Sequence, residues 1–163
     1  MADFAPAAPL DRFILRGSPP FAVAVPTHPL HSLVLCAISA LWLGPDEWLL
    51  LAPEGDGAGL AAQVARTETP HALFDVSHRQ LGFVLSGEEA ALLLNGAVPL
   101  DLSADAFPVG MTARTLFEKA EIVLWRTAPD AWHIEVARSF APYLRELLAA
   151  IATADGIALA HHS

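Results

Sequence analysis

The chain has 163 residues, enough for one compact domain or for two small fused halves with a sizeable core. Nine Lys and Arg residues stand against 18 Asp and Glu residues, so the formal net charge is -9. Phosphate binding needs clustered basic side chains that release counterions, so this balance argues against a nucleic-acid partner.

The chain is unusually apolar for its length. Hydrophobic residues make up 54% and charged residues only 17%, against roughly 25% charged residues in an ordinary soluble domain. The longest apolar stretch, residues 33–43, contains Ser39 and is shorter than the ~20 residues that cross a bilayer, so we predict no transmembrane helix and no membrane partner.

A partner protein explains the apolar excess, because the buried face of an obligate complex resembles a domain core cut in half. Lys119 is the only lysine, and the other basic residues are arginines, which interfaces tolerate best. Codon bias in a GC-rich genome is an alternative explanation for the same composition.

The first ten residues carry Asp3 and no basic segment before an apolar core, so we expect no secretory signal. Cys36 is the only cysteine, so an intrachain disulfide cannot form and a cysteine-based zinc site would lack its other ligands. Both features favour the cytoplasm.

Two segments near the start are rich in Pro and Ala. Proline removes donors that helices and inner strands require, so residues 1–10 and 18–31 are expected to be irregular. The residues between them, 11–16, are predicted to form a short strand.

A hairpin is predicted over residues 32–53, where two apolar runs are split by the turn-forming residues 44–46. After a flexible acidic turn, residues 60–66 suit a short helix.

Two more strands are predicted over residues 71–85, followed by a helix. Ser86 and Glu89 have the spacing of a capping box, and Gly96 after Asn95 is expected to end the helix in a left-handed conformation.

The last third of the chain is predicted to form three strands over residues 112–137 and then a long helix. Ser139 is the expected cap of this helix, and Pro142 falls in its first turn, where no amide hydrogen bond is lost.

The element order ββ-α-ββ-α-βββ-α with short connections indicates an α+β fold with antiparallel sheets. The recurring hairpin-and-helix unit is typical of a duplicated, ferredoxin-like arrangement with helices on one sheet face. We therefore predict an irregular segment over residues 1–10, one domain over 11–152 and a disordered tail over 153–163.

No sequence signature of a phosphate loop, a dinucleotide fold, a nucleophile elbow or a zincin helix is present. Ser77 and His78 are adjacent and would point to opposite faces of a strand, so a triad with Asp75 is not expected; Asp75 and Ser77 are predicted to bond the backbone instead. His28 and His31 would need a third ligand to hold a metal.

Five strings of the sequence together closely resemble the gamma subunit of heterotetrameric sarcosine oxidase. They occur in the same order between about residues 11 and 151, which is far more specific than any short motif. The strings are LWLGPDEWLLLAPEG (41–55), DVSHRQ (75–80), PLDL (99–102), FPVG with TLFEKAEIVLWRT (107–127) and RSFAPYLRELL (138–148).

The middle of the chain also looks like part of the glycine cleavage T-protein (aminomethyltransferase) family. The carrying residues are FDVSH at 74–78 and the turn and helix start at 85–90. This second resemblance implies a single T-protein-like domain of two intertwined ferredoxin-like halves.

The first resemblance implies a function in an assembly that demethylates sarcosine to glycine with oxygen, giving hydrogen peroxide and a one-carbon unit that tetrahydrofolate can capture. In that family, flavins and NAD are associated with the alpha and beta subunits and zinc with delta, and gamma is not known to carry chemistry. The chain is therefore expected to bind no cofactor and to contact alpha, with beta and delta in the same assembly. Isolated from them, it is expected to self-associate.

Exposed arginines and one histidine are expected to form the partner interface. They are His78, Arg79, Arg114, Arg126 and Arg138.

Two alternatives stay open. One is a T-protein-like protein that binds folate or a one-carbon unit by itself, with Trp125 stacking on the ligand and Glu121 facing it. T-proteins place an acidic pair before the corresponding strand where this chain has only Glu121, which argues against folate catalysis. The other is the equivalent subunit of a related N-methyl amino acid dehydrogenase.

Overall fold

The computed structural model describes residues 1–162. These residues divide into two compact units. The five-stranded unit is Ala8–Arg79, and the six-stranded unit is Met1–Ala7 together with the chain from Gln80 onward. In chain order the elements are β1 (Ala2–Pro6), β2 (Leu10–Gly17), β3 (Ser32–Leu35), β4 (Ile38–Gly44), β5 (Glu47–Pro53), α1 (Gly57–Val64), β6 (His71–Asp75), β7 (Gln80–Ser86), α2 (Ala90–Asn95), β8 (Thr112–Phe117), β9 (Ala120–Ala128), β10 (Ala131–Ala137), a 3-10 turn (Arg138–Phe140), α3 (Ala141–Ala154) and β11 (Leu159–His161).

The five-stranded sheet has the order β3-β4-β5-β2-β6, and every neighbouring pair is antiparallel. Phe13 and Leu15 on β2 share one buried cluster with Trp48 on β5. Leu60 and Val64, one helical turn apart on α1, complete this cluster.

The proline-rich segment 18–30 forms neither helix nor strand, as predicted. It nevertheless packs on the core, since the Phe21 ring meets the Trp48 ring edge to face with centroids 5.3 Å apart. The Pro26 carbonyl also accepts a hydrogen bond of 2.9 Å from the buried Trp48 Nε1. The irregular segment thus pairs the indole N–H that burial would otherwise leave unsatisfied.

The predicted turn at residues 44–46 is confirmed and joins β4 to β5. The first apolar run, however, is not one strand. It folds back on itself between β3 and β4, where Cys36 adopts a left-handed φ of 55°. The chain reverses there without the Gly or Pro signal that turn prediction relies on.

Helix α1 begins at Gly57, three residues before the predicted start. The Asp11 Oδ2 atom accepts hydrogen bonds from the amides of Gly55, at 3.0 Å, and Gly57, at 2.8 Å. The carboxylate of a residue on β2 therefore orders the turn that sequence alone suggested to be flexible, which is a contact invisible to local propensity.

The six-stranded sheet has the order β11-β1-β7-β10-β9-β8. β1 and β11 are parallel, and the other pairs are antiparallel. Trp132, Ile134 and Val136 lie on one face of β10 and are buried, as their spacing predicts. This face packs against α2 and α3 through residues such as Leu93 and Leu144.

Residues 1–10 are not the irregular segment that their composition predicts. Residues 2–6 form β1 inside the sheet, where Ala2 and Phe4 are buried and Phe4 stacks on Phe83 with ring centroids 5.0 Å apart. Proline does not prevent the strand because Pro6 is its last residue.

The prediction of a disordered tail over residues 153–163 is also corrected for the described part. Residues 159–161 form β11, which pairs in parallel with β1, and His162 Nε2 lies 2.9 Å from Asp3 Oδ1. Ser163 lies outside the described residues. The domain limits 11–152 themselves stay a prediction.

The predicted capping box of α2 does not form. Ser86 is the last residue of β7, and Glu89 caps the helix without a side-chain hydrogen bond. Instead, Gly87, at φ 113°, begins a turn, and the Gly87 amide donates a hydrogen bond of 2.9 Å to the Asp130 carbonyl. Because this turn separates strand from helix, the sequence spacing of Ser86 and Glu89 does not match the cap geometry.

Two further helix ends differ from the prediction. Gly96 has φ -66° and continues the helical turn of α2 rather than reversing it. A Cβ at Gly96 would lie 2.8 Å from Ile151 Cγ2, so packing of α3 explains the glycine. Ser139 makes no cap for α3, whose N-cap is Phe140 behind a 3-10 turn, but Pro142 does fall in the first turn.

The α+β class, the antiparallel sheets and the helices on one face of the six-stranded sheet are confirmed. The intertwining is visible along the sequence, because β1 precedes the whole five-stranded unit and the other strands of its own sheet follow that unit. None of the helices formed by residues 1–162 is both long and apolar enough to cross a membrane.

Candidate functional site

The DVSHR segment forms a turn after β6. The Asp75 Oδ1 atom accepts the Ser77 amide at 2.9 Å, and the Ser77 hydroxyl accepts the Arg12 amide at 2.9 Å. Hydrogen bonding from Ser77, assisted by the nearby His78, lowers the pKa of Asp75 from its ordinary 3.8. The predicted backbone-bonding role of Asp75 and Ser77 is confirmed.

The predicted interface residues occupy separate elements. His78 and Arg79 are exposed on the turn after β6 in the five-stranded unit. Arg114 is exposed on β8, an edge strand of the six-stranded sheet, and Arg138 is exposed in the 3-10 turn that follows β10. His78, Arg114 and Arg138 also make contacts of their own within the chain.

Arg126 requires a correction, because it is buried rather than presented to a partner. Its Nη1 donates to the Phe107 carbonyl at 2.8 Å, and its Nη2 donates to the Pro129 carbonyl. The guanidinium carbon also lies 4.9 Å from the Trp132 ring centroid. Arg126 is thus an internal cation that ties the loop before β8 to the β9–β10 turn.

Trp125 and Glu121 lie on the same face of β9 but are too far apart to form one small binding site. They are four residues apart, which is about 13 Å along a strand. Glu121 is exposed, whereas Trp125 is half-buried with its Nε1 shielded from solvent and without a hydrogen-bond partner in residues 1–162. Of the two, Trp125 has the surroundings of a binding residue.

Trp125 belongs to a row of polar residues on the sheet face opposite α2 and α3. Thr112 on β8 and His133 on β10 are its partners in register. Thr112 is fully buried with an unpaired Oγ1 among the described residues, and the rings of Trp125 and His133 lie 6.0 Å apart. We call Thr112, Trp125, His133 and Glu135 the polar row.

Sequence reasoning missed His133 and Glu135. His133 Nε2 lies 2.7 Å from Glu135 Oε1, and both side chains are buried. Their alternation with Trp132, Ile134 and Val136 is the usual pattern of a half-solvated strand, so the sequence gives no signal that this second face is buried too.

The histidines His28 and His31 have rings 5.8 Å apart, and the carbonyl of Pro29 lies 2.8 Å from His31 Nδ1. No group of three or more potential metal ligands occurs among residues 1–162.

A shallow groove of about 400 Å³ lies between β7 and the start of α3. Its lining combines apolar side chains with two arginines and one glutamate. The lining residues are Leu81, Phe83, Arg138, Ala141, Pro142, Arg145 and Glu146.

The most exposed apolar surface of the five-stranded unit lies on β3. Leu33, Val34 and Leu35 are 36%, 55% and 58% exposed, and Cys36 beside them is exposed as well. No Asp, Glu, Lys or Arg occurs between Arg16 and Asp46.

The chain matches a known family and several known proteins. The sequence model of the sarcosine oxidase, gamma subunit family matches residues 21–154. Sarcosine oxidase subunit gamma of Corynebacterium sp. (strain P-1) is 39% identical over 104 residues, covering 63% of this chain and 50% of that protein. The same subunit of an Arthrobacter species is 36% identical over 96 residues, covering 59% and 47%. The matched region thus spans about half the length of these curated relatives.

Two solved structures are similar in fold. A chain of heterotetrameric sarcosine oxidase from Corynebacterium sp. U-96, solved in complex with pyrrole 2-carboxylate, superposes with a TM-score of 0.82 at 26% identity, covering 93% of this chain and 84% of that one. The glycine cleavage system aminomethyltransferase T of Bartonella henselae superposes with a TM-score of 0.69 at 14% identity, covering 98% and 47%. The second match concerns the fold alone.

Proposed function

The chain belongs to the sarcosine oxidase gamma subunit family, and on that premise we propose that it is the noncatalytic gamma subunit of a heterotetrameric sarcosine oxidase. Its role is assembly of a complex that oxidatively demethylates sarcosine to glycine, hydrogen peroxide and a one-carbon unit. The observation that carries this proposal is the superposition on a chain of such an assembly, at a TM-score of 0.82 over 93% of the chain.

The surface supports an assembly role. Large apolar side chains stay exposed on an acidic chain, and three of them, Leu33, Val34 and Leu35, are adjacent on β3. Contiguous exposed apolar patches often mark sites where a protein contacts another protein.

The proposed principal partner is the alpha subunit, with beta and delta in the same assembly. His78, Arg79, Arg114 and Arg138 are proposed to pair across the interface, where arginine forms bidentate hydrogen bonds with carboxylates. Flavins, NAD, zinc and tetrahydrofolate are expected in the partner subunits, and the complex is expected in the cytoplasm.

A tagged copy of the chain purified from its native host tests the assembly role. Yellow, flavin-bearing larger subunits at fixed stoichiometry are expected in the eluate, identified by mass spectrometry and by the visible absorbance spectrum. A colourless eluate that contains this chain alone would overturn the proposal. Hydrogen peroxide release with oxygen as the only electron acceptor distinguishes an oxidase from the related dehydrogenase, and turnover of sarcosine against other N-methyl amino acids identifies the substrate.

A second candidate is a protein that binds a folate or one-carbon compound by itself. It is favoured by the polar row, where Trp125 Nε1 and Thr112 Oγ1 are shielded from solvent without partners in residues 1–162. A ligand carbonyl or carboxylate that reached either atom would accept a hydrogen bond from it. Titration calorimetry with tetrahydrofolate or folinic acid should then give heat that Trp125→Phe abolishes, and no heat at high concentration rejects this candidate.

A further inference from the structure

Strand β3 differs from the other sheet edges of the molecule. Both sheets together have four edge strands within residues 1–162, namely β3, β6, β8 and β11. β6 contains His71 and Asp75, β8 contains Arg114, and β11 contains His161. The sequence of β3, Ser-Leu-Val-Leu, contains no ionisable side chain. Proteins usually place charges on edge strands to prevent pairing with other chains, so β3 lacks that protection.

Strand β3 is apolar on both faces. Leu33 and Leu35 lie opposite Ala40 and Ile38, and these two β4 residues belong to the core cluster of the five-stranded unit or pack against it. Leu33 and Leu35 therefore lie on the same face of the sheet as the buried cluster, but at the edge, where their side chains stay exposed. Val34, 55% exposed, presents a branched apolar side chain on the other face.

The backbone of β3 is also available for pairing. The Trp42 amide donates to the His31 carbonyl at 3.1 Å. Because antiparallel pairs alternate, the backbone groups of Leu33 and Leu35 then point toward β4, whereas the amide and carbonyl of Val34 point away from the sheet. An added strand would pair with these outward groups.

The surroundings define the chemistry of the occupant. Neither β3 nor its paired neighbour β4 carries an Asp, Glu, Lys or Arg, so an acidic peptide or an anionic lipid surface finds no complementary cation on these two strands. We propose that β3 docks an extended, uncharged, apolar segment of a partner polypeptide, which adds a sixth strand to the five-stranded sheet and covers Leu33 and Leu35. This inference rests on the proposed function, since the partner is another subunit of the assembly.

The test introduces a lysine on the edge strand. Val34→Lys should lower recovery of the larger subunits with the tagged chain by about tenfold or more, because a lysine on an edge strand opposes pairing with a further strand. Leu92→Lys is the matched control, since Leu92 is equally exposed at 55% but lies on α2. It should leave recovery unchanged. Both variants should keep the thermal unfolding midpoint of the isolated wild-type chain, because both side chains are exposed.

The outcomes separate the inference from the function it rests on. Failure of the wild-type chain to recover any larger subunit rejects the proposed function. Equal recovery by wild type and Val34→Lys rejects the docking edge but keeps that function. If Val34→Lys abolishes self-association of the isolated chain, measured by sedimentation, while recovery of the larger subunits persists, the occupant is a second copy and the inference is overturned.

Discussion

Asp75 connects one residue to the pH dependence of stability. Hydrogen bonding from Ser77 lowers the folded-state pKa of Asp75 below 3.8, so its ionised form stabilises the folded chain. The contribution is present above the unfolded-state pKa and is lost as the pH falls through the lower folded-state pKa.

Asp75→Ala should therefore reduce the free energy of unfolding at pH 7 by less than about 1 kcal/mol, since the group is exposed and screened. The deficit should shrink as the pH is lowered below 3.8, measured by urea unfolding at a series of pH values. A deficit that grows toward low pH would contradict this account. The exposed Asp105→Ala serves as the control for simple loss of a charge.

Arg126 provides a sharper test at the same scale. Arg126→Met should destabilise the folded chain by about 2–4 kcal/mol, because it leaves the carbonyls of Phe107 and Pro129 without their donors. Arg145→Met, at an exposed position of α3, should change the unfolding free energy by less than about 0.5 kcal/mol. Similar losses in both variants, measured by urea unfolding, would show that Arg126 is not an internal tie.

The candidate site was only partly predictable from single residues. Trp125 was found because aromatic residues in strands are natural stacking groups. Glu121 is a candidate because T-proteins have an acidic pair there, but four residues along a strand separate it from Trp125 by about 13 Å. His133 and Glu135 were missed, since alternation identifies a second face without telling what covers it. Arg126 was misplaced because an arginine on a strand gives no sign of whether carbonyls surround it.

At the scale of elements, the β7–α2 connection depends on one glycine. Gly87 has φ 113°, and a Cβ there would lie 2.5 Å from the Met1 carbonyl oxygen. Gly87→Ala should cost about 2–3 kcal/mol from backbone strain and the clash together.

At Gly59, inside α1, an alanine should raise the free energy of unfolding instead of lowering it. A Cβ at Gly59 would meet no atom within 4 Å, so Gly59→Ala should stabilise by about 0.5–1 kcal/mol through helix propensity. Thermal unfolding of both variants measures the contrast. A tolerated Gly87→Ala would show that the turn relaxes without strain.

Strand β11, near the end of the described chain, is part of the six-stranded sheet and contributes to its stability. Removing the residues after Ala154 should lower the thermal midpoint by several degrees, on the order of 1–3 kcal/mol, because β1 loses its parallel partner and Asp3 loses its contact with His162. Hydrogen exchange at the amides of β1 should accelerate in the same variant. Unchanged protection of β1 would support a tail without a structural role.

Element prediction succeeded where the signal was local. The turn at residues 44–46 and the alternation of β10 are predicted correctly, because proline and period-two patterns act over a few residues. The caps at Ser86 and Ser139 failed since each depends on the path by which the preceding strand enters the helix. The parallel pairing of β1 with β11 joins distant segments and leaves no mark in either sequence.

For the whole molecule, the antiparallel α+β class followed from element order, and the family followed from five strings in one order. Neither the element order nor the five strings show that the six-stranded sheet is discontinuous along the chain. The alternation of apolar residues indicates which face of a strand is buried, but it does not indicate which strand lies beside it. Long-range pairing is decided by packing and loop closure rather than by local propensity.

The discontinuity of the six-stranded sheet matters while the protein is being made. β1 leaves the ribosome before the other described strands, but its partner β7 begins only at Gln80, and β11 emerges last of the described strands. At about 5–20 residues per second, the apolar Ala2 and Phe4 wait for several seconds without a sheet, whereas the five-stranded unit is already complete. A nascent-chain chaperone would find its binding segment at the amino-terminal strand during this interval.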